Sequence, residues 1–292
     1  AAARIDHGGM EAPQFFRNAM YELAISSNMA LSTVGALNLG VYELISKHGS
    51  IELQKIYAEK VASGEWCGTM CLTEPHAGTD LGIIRTKAHP REDGSHSITG
   101  TKMFITFGEH NLSDNIIHMV LAKLPNAPEG SNGISLFLVP KIIPGENNLN
   151  GVTCAGIEEK MGLHGSPTCV LNFDDSIGWM VGEANTGMRL MFEMMNRERL
   201  ATGMMGIGLG EVAYQNALSW CLERRQGRDL KGVRDLKEEA DSILVHPDVR
   251  RMLLKMKANN EGCRALATWV STQLDQMKRG NDEEKAHATA LV

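Results

Sequence analysis

Early in the chain, apolar positions recur with the period of a helix. Phe15, Phe16, Ala19, Met20, Leu23 and Ala24 form one stripe, and Val41, Leu44 and Ile45 continue it within a helical region expected from about Gln14 to Ala62. Gly35 and Gly40 either break this region or bring it close to a neighbour, and His48-Gly49 stops it as a C-cap would. Ser50, followed by Glu52 and Leu53, restarts a helix that runs through Val61 and ends at Ser63-Gly64. From Trp66 to about Met180 the period switches to that of strands. Ile98, Ile105, Ile116 to Leu121, Ile134 to Val139, Val170 to Phe173 and Trp179 to Val181 mark the apolar runs. Glu92-Asp93-Gly94-Ser95 reads as a hairpin turn, and Leu124 to Gly133 and Pro144 to Gly151 as longer polar loops. Short strands joined by such turns predict antiparallel structure, a barrel or a sandwich.

The helical period returns at Thr186, with Asn185 or Thr186 as N-cap, and holds to about Arg225. The charged run Asp229 to Asp241 reads as a solvated loop. His246-Pro247-Asp248 then opens another helix through Met277. The final KAHATALV is also helical and carries no stop signal, so the chain reads as a piece cut inside an element. The predicted class is α+β in three segments: helical over 1–65, a middle β domain over 66–185, and helical again over 186–292.

Composition narrows the function. The 292 residues carry a formal net charge of −6, with no basic face for nucleic acid and no apolar run long enough to span a bilayer. The first ten residues lack a signal-peptide pattern, and a cytoplasmic location is expected. Six cysteines at irregular spacing fit reduced, packed thiols. The Cys67–Cys71 pair has no second pair at ligand spacing, so no metal is expected. Seventeen methionines are unusual, and six of them crowd between Met188 and Met205. They read either as adaptable core filler or as the lining of a tunnel for a flexible apolar substrate.

The stretch Trp66–Gly108 holds the densest chemistry. In its Thr73–Asp80 turn, Glu74-Pro75 fixes an extended approach, Gly78 lets a ligand near the backbone, and Thr73 and Thr79 add hydroxyls. Such a turn suits an anion or the polar edge of a flavin, and equally an ordinary β-turn whose hydroxyls satisfy the backbone. Gly203, Gly206, Gly208 and Gly210 superficially evoke a dinucleotide loop. They lie inside a helical pattern without a preceding strand, so close helix packing is the expected reading.

The order of motifs is more specific than any one of them. Thr69 to Pro75, then Gly78-Thr79-Asp80, then Gly100 to Thr106 closely resembles the acyl-CoA dehydrogenase family. Glu158 to His164 is similar to a segment near the end of that family's β domain. Asn196 to Leu200 with Gly210 to Tyr214 is similar to the first helix of its C-terminal domain. Glu223 to Arg228 stands in place of the family's E-R-x-x-F-G, with Gly227 replacing Phe. The resemblance runs from about Met10 to the last residue and is strongest to a larger bacterial branch.

The resemblance implies FAD as cofactor. Met70, Leu72 and Thr73 would lie near the isoalloxazine and its polar edge, and Gly78 with Thr79 near the pyrophosphate or a cofactor hydroxyl. Phe104 would flank the flavin and Thr106 would bond near N5, while Arg224 would reach the pyrophosphate from a neighbouring subunit. The last role implies a homodimer or a dimer of dimers. For substrate, Arg199, Asn196 and Thr79 are the implied contacts to acyl-CoA. The chemistry needs a carboxylate base, which in most relatives lies later than Val292. Glu198 is the candidate within the chain, and its bland alternative is an ion pair, since Glu193 and Glu198 flank arginines. The implied activity is dehydrogenation of an acyl-CoA thioester, with electrons passed to an electron-transfer flavoprotein. The alternatives are an oxidase of the same fold, a nucleic-acid-associated flavoprotein, which the charge disfavours, and a non-catalytic fragment.

Overall fold

The computed structural model describes residues 3–146 and 148–291. Asn147, in the expected Pro144–Gly151 loop, and Val292, the last of the expected helical residues, lie outside them. By contact the chain forms two compact units, Ala1–Ala12 with Ala30–Arg199, and Pro13–Met29 with Leu200–Val292.

The helices of the early part are α1 (Gln14–Ser27), α2 (Met29–Ser32), α3 (Asn38–His48), α4 (Ile51–Leu53) and α5 (Glu59–Ser63), with a π-helical turn over Gln54–Ala58. Gly35 and Gly40 do different work. Gly35 takes φ +66° in the turn before α3, whereas Gly40 lies inside α3, where an added Cβ would stand 2.5 Å from Met194 Cγ. Ser50 caps α4 by accepting the Leu53 N–H at 3.3 Å.

The first unit is built on a seven-stranded sheet of β1 (Trp66–Cys71), β2 (Lys87–Pro90), β3 (His96–Thr106), β4 (Asn115–Lys123), β5 (Ile134–Pro140), β6 (Val152–Ile157) and β7 (Thr168–Met180). Pairings β4–β2–β3–β7–β5 return to β4, which closes a barrel, with β1 added beside β4 and β6 beside β7. Closure decides between the two architectures the sequence allowed.

Three expectations about the sheet need correction. It is mixed rather than antiparallel: β1 runs parallel to β4 from Trp66↔Asn115 to Cys71↔Val120, and Lys87 of β2 pairs in parallel with Lys123. The intervening 72–114 segment is long enough to return the chain to its starting direction, as a parallel pairing requires. The two runs expected near residues 170 and 180 are one strand, β7, which continues through Asp175 at φ +48°. The strands β2 and β6 were not among the expected strands, since neither holds a run of large apolar side chains.

Alternation on β4 and β5 separates two cores. Val120, Ala122, Phe137 and Val139 point into the barrel with Ile98, Ile105, Leu171 and Phe173. Ile117, Met119, Leu121, Leu136 and Leu138 face outward onto Val41, Leu44, Ile45, Tyr57 and Val61 of the early helices. Both faces are therefore covered, which is why these strands read as nearly continuous apolar runs, interrupted only by His118 between Ile116 and Ala122 and by Ser135 between Ile134 and Val139. The barrel interior also holds a polar pair, His118 Nδ1 with Thr69 Oγ1 at 2.7 Å, and burial pushes that imidazole down to about 3.

Helix α6 (Gly187–Glu223) opens in the first unit and continues into the second, which also contains α1, α7 (Pro247–Arg279) and α8 (Asp282–Leu291). Met191 and Met194 are buried in the first unit's core, with Met188 and Met195 packed at its edge, and Met204 is buried with Ile207 and Ala267 in the second. These positions fit the core-filler reading. Of the four glycines in the GMMGIGLG run, Gly208 and Gly210 admit close neighbours: an added Cβ would lie 2.8 Å from Ile25 Cγ2 and 2.4 Å from Asn260 Oδ1. Gly203 and Gly206 have open space instead.

The Asp229–Asp241 segment is irregular, as expected, but it is not merely solvated. Asp241 is fully buried and accepts backbone N–H groups of Asp229, Arg234 and Asp235, together with the Arg228 guanidinium. The bond from Asp235 leads the effects that hold its carboxyl down to about 2. No helix among the described residues is long and apolar enough to cross a membrane.

Candidate cofactor cradle

The densest part of the sequence folds into β1, a tight turn, β2 and β3. Strand β1 carries Met70 half-buried at the edge of the outer core and leads to buried Leu72. Glu74 and Ala77 exchange backbone hydrogen bonds at 3.0 Å each, which closes a tight turn around Pro75 and His76. The carbonyl of Thr73 accepts the Met103 N–H at 2.9 Å, so the turn is bonded directly to β3.

Strand β3 is irregular at this point. Its register against β7 shifts between Lys102 and Ile105, and within the shift Phe104 takes φ +61°. A bulky residue in the left-handed region is strained by about 1–3 kcal/mol. Yet Phe104 is 56% exposed, so no core packing of the ring offsets that strain. The bulge aims an aromatic surface outward beside the turn.

Beneath the turn lies a buried ion pair that sequence reasoning passed over. Lys102 is fully buried and Glu74 is 3% exposed. Lys102 Nζ donates to Glu74 Oε1 at 2.8 Å and to the Leu72 carbonyl at 2.9 Å. The Glu74 carboxylate also accepts the N–H groups of Arg85 at 2.7 Å and Thr86 at 3.1 Å, and the Thr86 hydroxyl at 2.6 Å. Burial alone would raise Glu74, but the Lys102 ammonium and these donors hold it below the usual carboxylate range. Burial draws Lys102 down, opposed by Glu74. The signal in the sequence was a Glu and a Lys inside the two motifs, each an ordinary surface residue by type.

The cradle can be tested for a flavin. Gly78 has no protein atom within 4 Å of an added Cβ and lies outside the left-handed region, so the fold itself does not demand glycine there. A ligand laid close to the backbone would. The hydroxyls of Thr73, Thr79 and Thr106 make no hydrogen bond to any described residue, and Thr79 is exposed while the other two are half-buried. Open hydroxyls, an exposed ring and a glycine with free space fit the polar edge and flat face of FAD.

The remaining expected residues lie on α6 or just after it. Asn196 Oδ1 accepts from Arg199 Nη1 at 2.7 Å, and the Arg199 guanidinium lies 5.4 Å from the Phe192 ring centre. The ion pair expected for Glu193 with its neighbouring arginines is not formed. Glu193 instead meets His48 at 3.2 Å and Lys47 at 3.5 Å, while Arg197 pairs with Glu43 at 2.5 Å. One turn apart, α3 offers partners that the helix's own register does not. Glu198 is half-buried, and desolvation pushes its carboxyl up to about 7 against the pull of Arg197. Arg224 lies in the second unit, exposed, just past the end of α6, and makes no ion pair among the described residues. The neighbouring Glu223 accepts from Ser219 at 3.2 Å.

The model of the acyl-CoA dehydrogenase middle domain matches residues 69–176, and that of the acyl-CoA dehydrogenase C-terminal domain matches 185–291. The chain is 44% identical over 98% of its length to 3-methylmercaptopropionyl-CoA dehydrogenase of Ruegeria pomeroyi, covering 49% of that protein. It is 40% identical over 92% of its length to the broad-specificity linear acyl-CoA dehydrogenase FadE5 of Mycobacterium tuberculosis, covering 45% of it. The chain thus spans about half the length of the curated relatives it matches. Among solved structures, butyryl-CoA dehydrogenase from Megasphaera elsdenii shares the fold with a TM-score of 0.79 at 22% identity, over 94% of this chain and 68% of that one. Two family models in succession, one over the barrel and one over the later helices, lead to one conclusion: the chain belongs to the acyl-CoA dehydrogenase family.

Proposed function

We propose that the protein carries out FAD-dependent α,β-dehydrogenation of an acyl-CoA thioester to the 2-enoyl-CoA, with electrons passed to an electron-transfer flavoprotein. The observation that carries this reading is the cradle: an exposed, strained Phe104 on the bulge of β3, open space at Gly78 in the turn bonded to that strand, and three unengaged threonine hydroxyls. The chemistry FAD supplies when bound is acceptance of the substrate's β-hydrogen as hydride.

The chain's own residues then have distinct tasks. Met70 and Leu72 offer an apolar floor, Thr73 and Thr106 offer hydroxyls to the flavin's polar edge, and Phe104 flanks its ring system. Gly78 and Thr79 suit the pyrophosphate or a cofactor hydroxyl, with Thr79 also open to substrate. Arg199, held by Asn196, suits the phosphates of CoA. Arg224, with its guanidinium unpaired, suits the FAD pyrophosphate of a neighbouring subunit in a homodimer or a dimer of dimers. Glu198 is the in-chain candidate for the base that removes the α-proton, because a carboxyl near 7 is poised to accept it at neutral pH.

The test is the absorbance spectrum of the purified protein before and after acyl-CoA is added without oxygen. Flavin bands that bleach with acyl-CoA and recover on adding electron-transfer flavoprotein are expected. Bands that fail to bleach with acyl chains of any length would overturn the reading. Rapid oxygen consumption with acyl-CoA and no other acceptor would identify an oxidase instead. A thermal scan adds the ligand-removal test: FAD at about 100 times its Kd should stabilise the stripped protein by about 2.7 kcal/mol.

A further inference from the structure

The Glu74–Lys102 pair sits where three segments of the cradle meet. Lys102 belongs to the bulged part of β3, two residues before Phe104. Its ammonium donates to the Leu72 carbonyl, immediately before Thr73, and to Glu74 at the start of the tight turn. The same carboxylate collects the backbone of Arg85 and Thr86, beyond the far end of the turn. Thr86 also lies under the other irregularity of β3, since an added Cβ at Gly100 would fall 2.4 Å from its Oγ1. Every hydrogen bond in this set joins the entry of the turn, its exit, or the bulge that carries Phe104.

A buried ion pair is a poor way to add stability, because desolvation offsets most of the attraction and an apolar pair of the same volume serves as well. Its distinctive property is direction: a carboxylate and an ammonium with several fixed partners allow one arrangement of the segments they join. We propose that Glu74 and Lys102 are positioning residues for the flavin, a strut that holds the turn entry, the turn exit and the Phe104 bulge in the geometry that receives FAD. Neither side chain touches the cofactor. This inference rests on the flavoprotein reading given above.

The experiment separates FAD affinity from stability. Stripped wild type, Glu74→Gln, Lys102→Met and the double variant are titrated with FAD by quenching of flavin fluorescence, and their unfolding midpoints are measured without FAD. Glu43→Gln, which breaks the Arg197–Glu43 pair elsewhere in the same unit, is the control for general destabilisation. Each single variant is expected to bind FAD at least tenfold more weakly than wild type. The double variant should recover stability relative to the singles yet keep the weakened affinity, because the charges are gone but the strut is not restored. The control should bind FAD as wild type does. Wild-type affinity in any of the three strut variants, or an equal loss in Glu43→Gln at a similar midpoint, would overturn the proposal. Should wild type itself take up no FAD, the flavoprotein reading falls and this inference with it, a result distinct from either of those.

Discussion

Arg264 of α7 forks onto Glu22 of α1, with Nε 2.9 Å and Nη2 2.6 Å from Oε1, while the same Nη2 lies 2.8 Å from Glu211 Oε2 of α6. One guanidinium thereby ties α1, α6 and α7 together in the second unit, where their shared apolar cluster is small: Met204, Ile207 and Ala267, with Tyr21 at its edge. Here a planar fork does what a larger core would otherwise do.

Replacing Arg264 by Met leaves buried Glu22 and half-buried Glu211 facing each other without a cation. A loss of about 2 kcal/mol is expected, less than for a fully buried pair because Arg264 is partly exposed. Urea unfolding of wild type and variant measures it directly, and an unchanged midpoint would show the fork to be ornamental.

Gly40→Ala places a methyl 2.5 Å from Met194 Cγ where α3 meets α6. Methionine is flexible, so repacking is possible at a cost of about 1–3 kcal/mol. Pairing the substitution with Met194→Ala should recover part of that loss. A double-mutant cycle checks this, and strictly additive effects would mean the two side chains do not meet.

Glu198 gives the clearest pH expectation. Its carboxyl is raised by desolvation to about 7, so below that value it is protonated and cannot accept the α-proton, and above it the carboxylate can. The pH profile of kcat/KM should rise through about 7. Glu198→Gln should retain bound flavin and lose about 10²–10⁴-fold in turnover, the usual contribution of a general base. Near-normal turnover in the variant would move the base to another residue.

Asp241 should make its loop resistant to acid. A carboxyl held to about 2 in the folded chain contributes stabilisation that is fully present above the ordinary carboxylate range and is lost progressively as pH falls from that range through about 2. Protection of the Asp229, Arg234 and Asp235 amides, corrected for intrinsic exchange rates, should therefore hold at pH 5 and decline gradually from the ordinary carboxylate range down to about pH 2. Asp241→Asn should lose that protection at every pH, and equal protection in the variant would place the loop's order elsewhere.

Much of this was visible along the chain because periodicity is a local property. The helices at both ends, the switch to strands near Trp66 and the helical nature of the glycine run follow from the spacing of apolar residues, which depends only on backbone geometry. The residues proposed to receive the cofactor were visible as well, as an ordered set of turn residues and hydroxyls between Thr69 and Thr106. The short strands β2 and β6 were not, since neither carries an apolar alternation strong enough to read.

By itself, then, the sequence determined the succession of helical, β and helical segments and the family. Tertiary structure alone decided which strands run parallel, where β3 bulges to expose Phe104, and which charges go inside. Glu74, Lys102 and Asp241 look like surface residues by type, and each is buried because the folded chain brings partners to it, from another segment for Glu74 and Lys102 and from its own loop for Asp241. Burial of a charge depends on three-dimensional neighbours to offset its desolvation, and no local pattern records them.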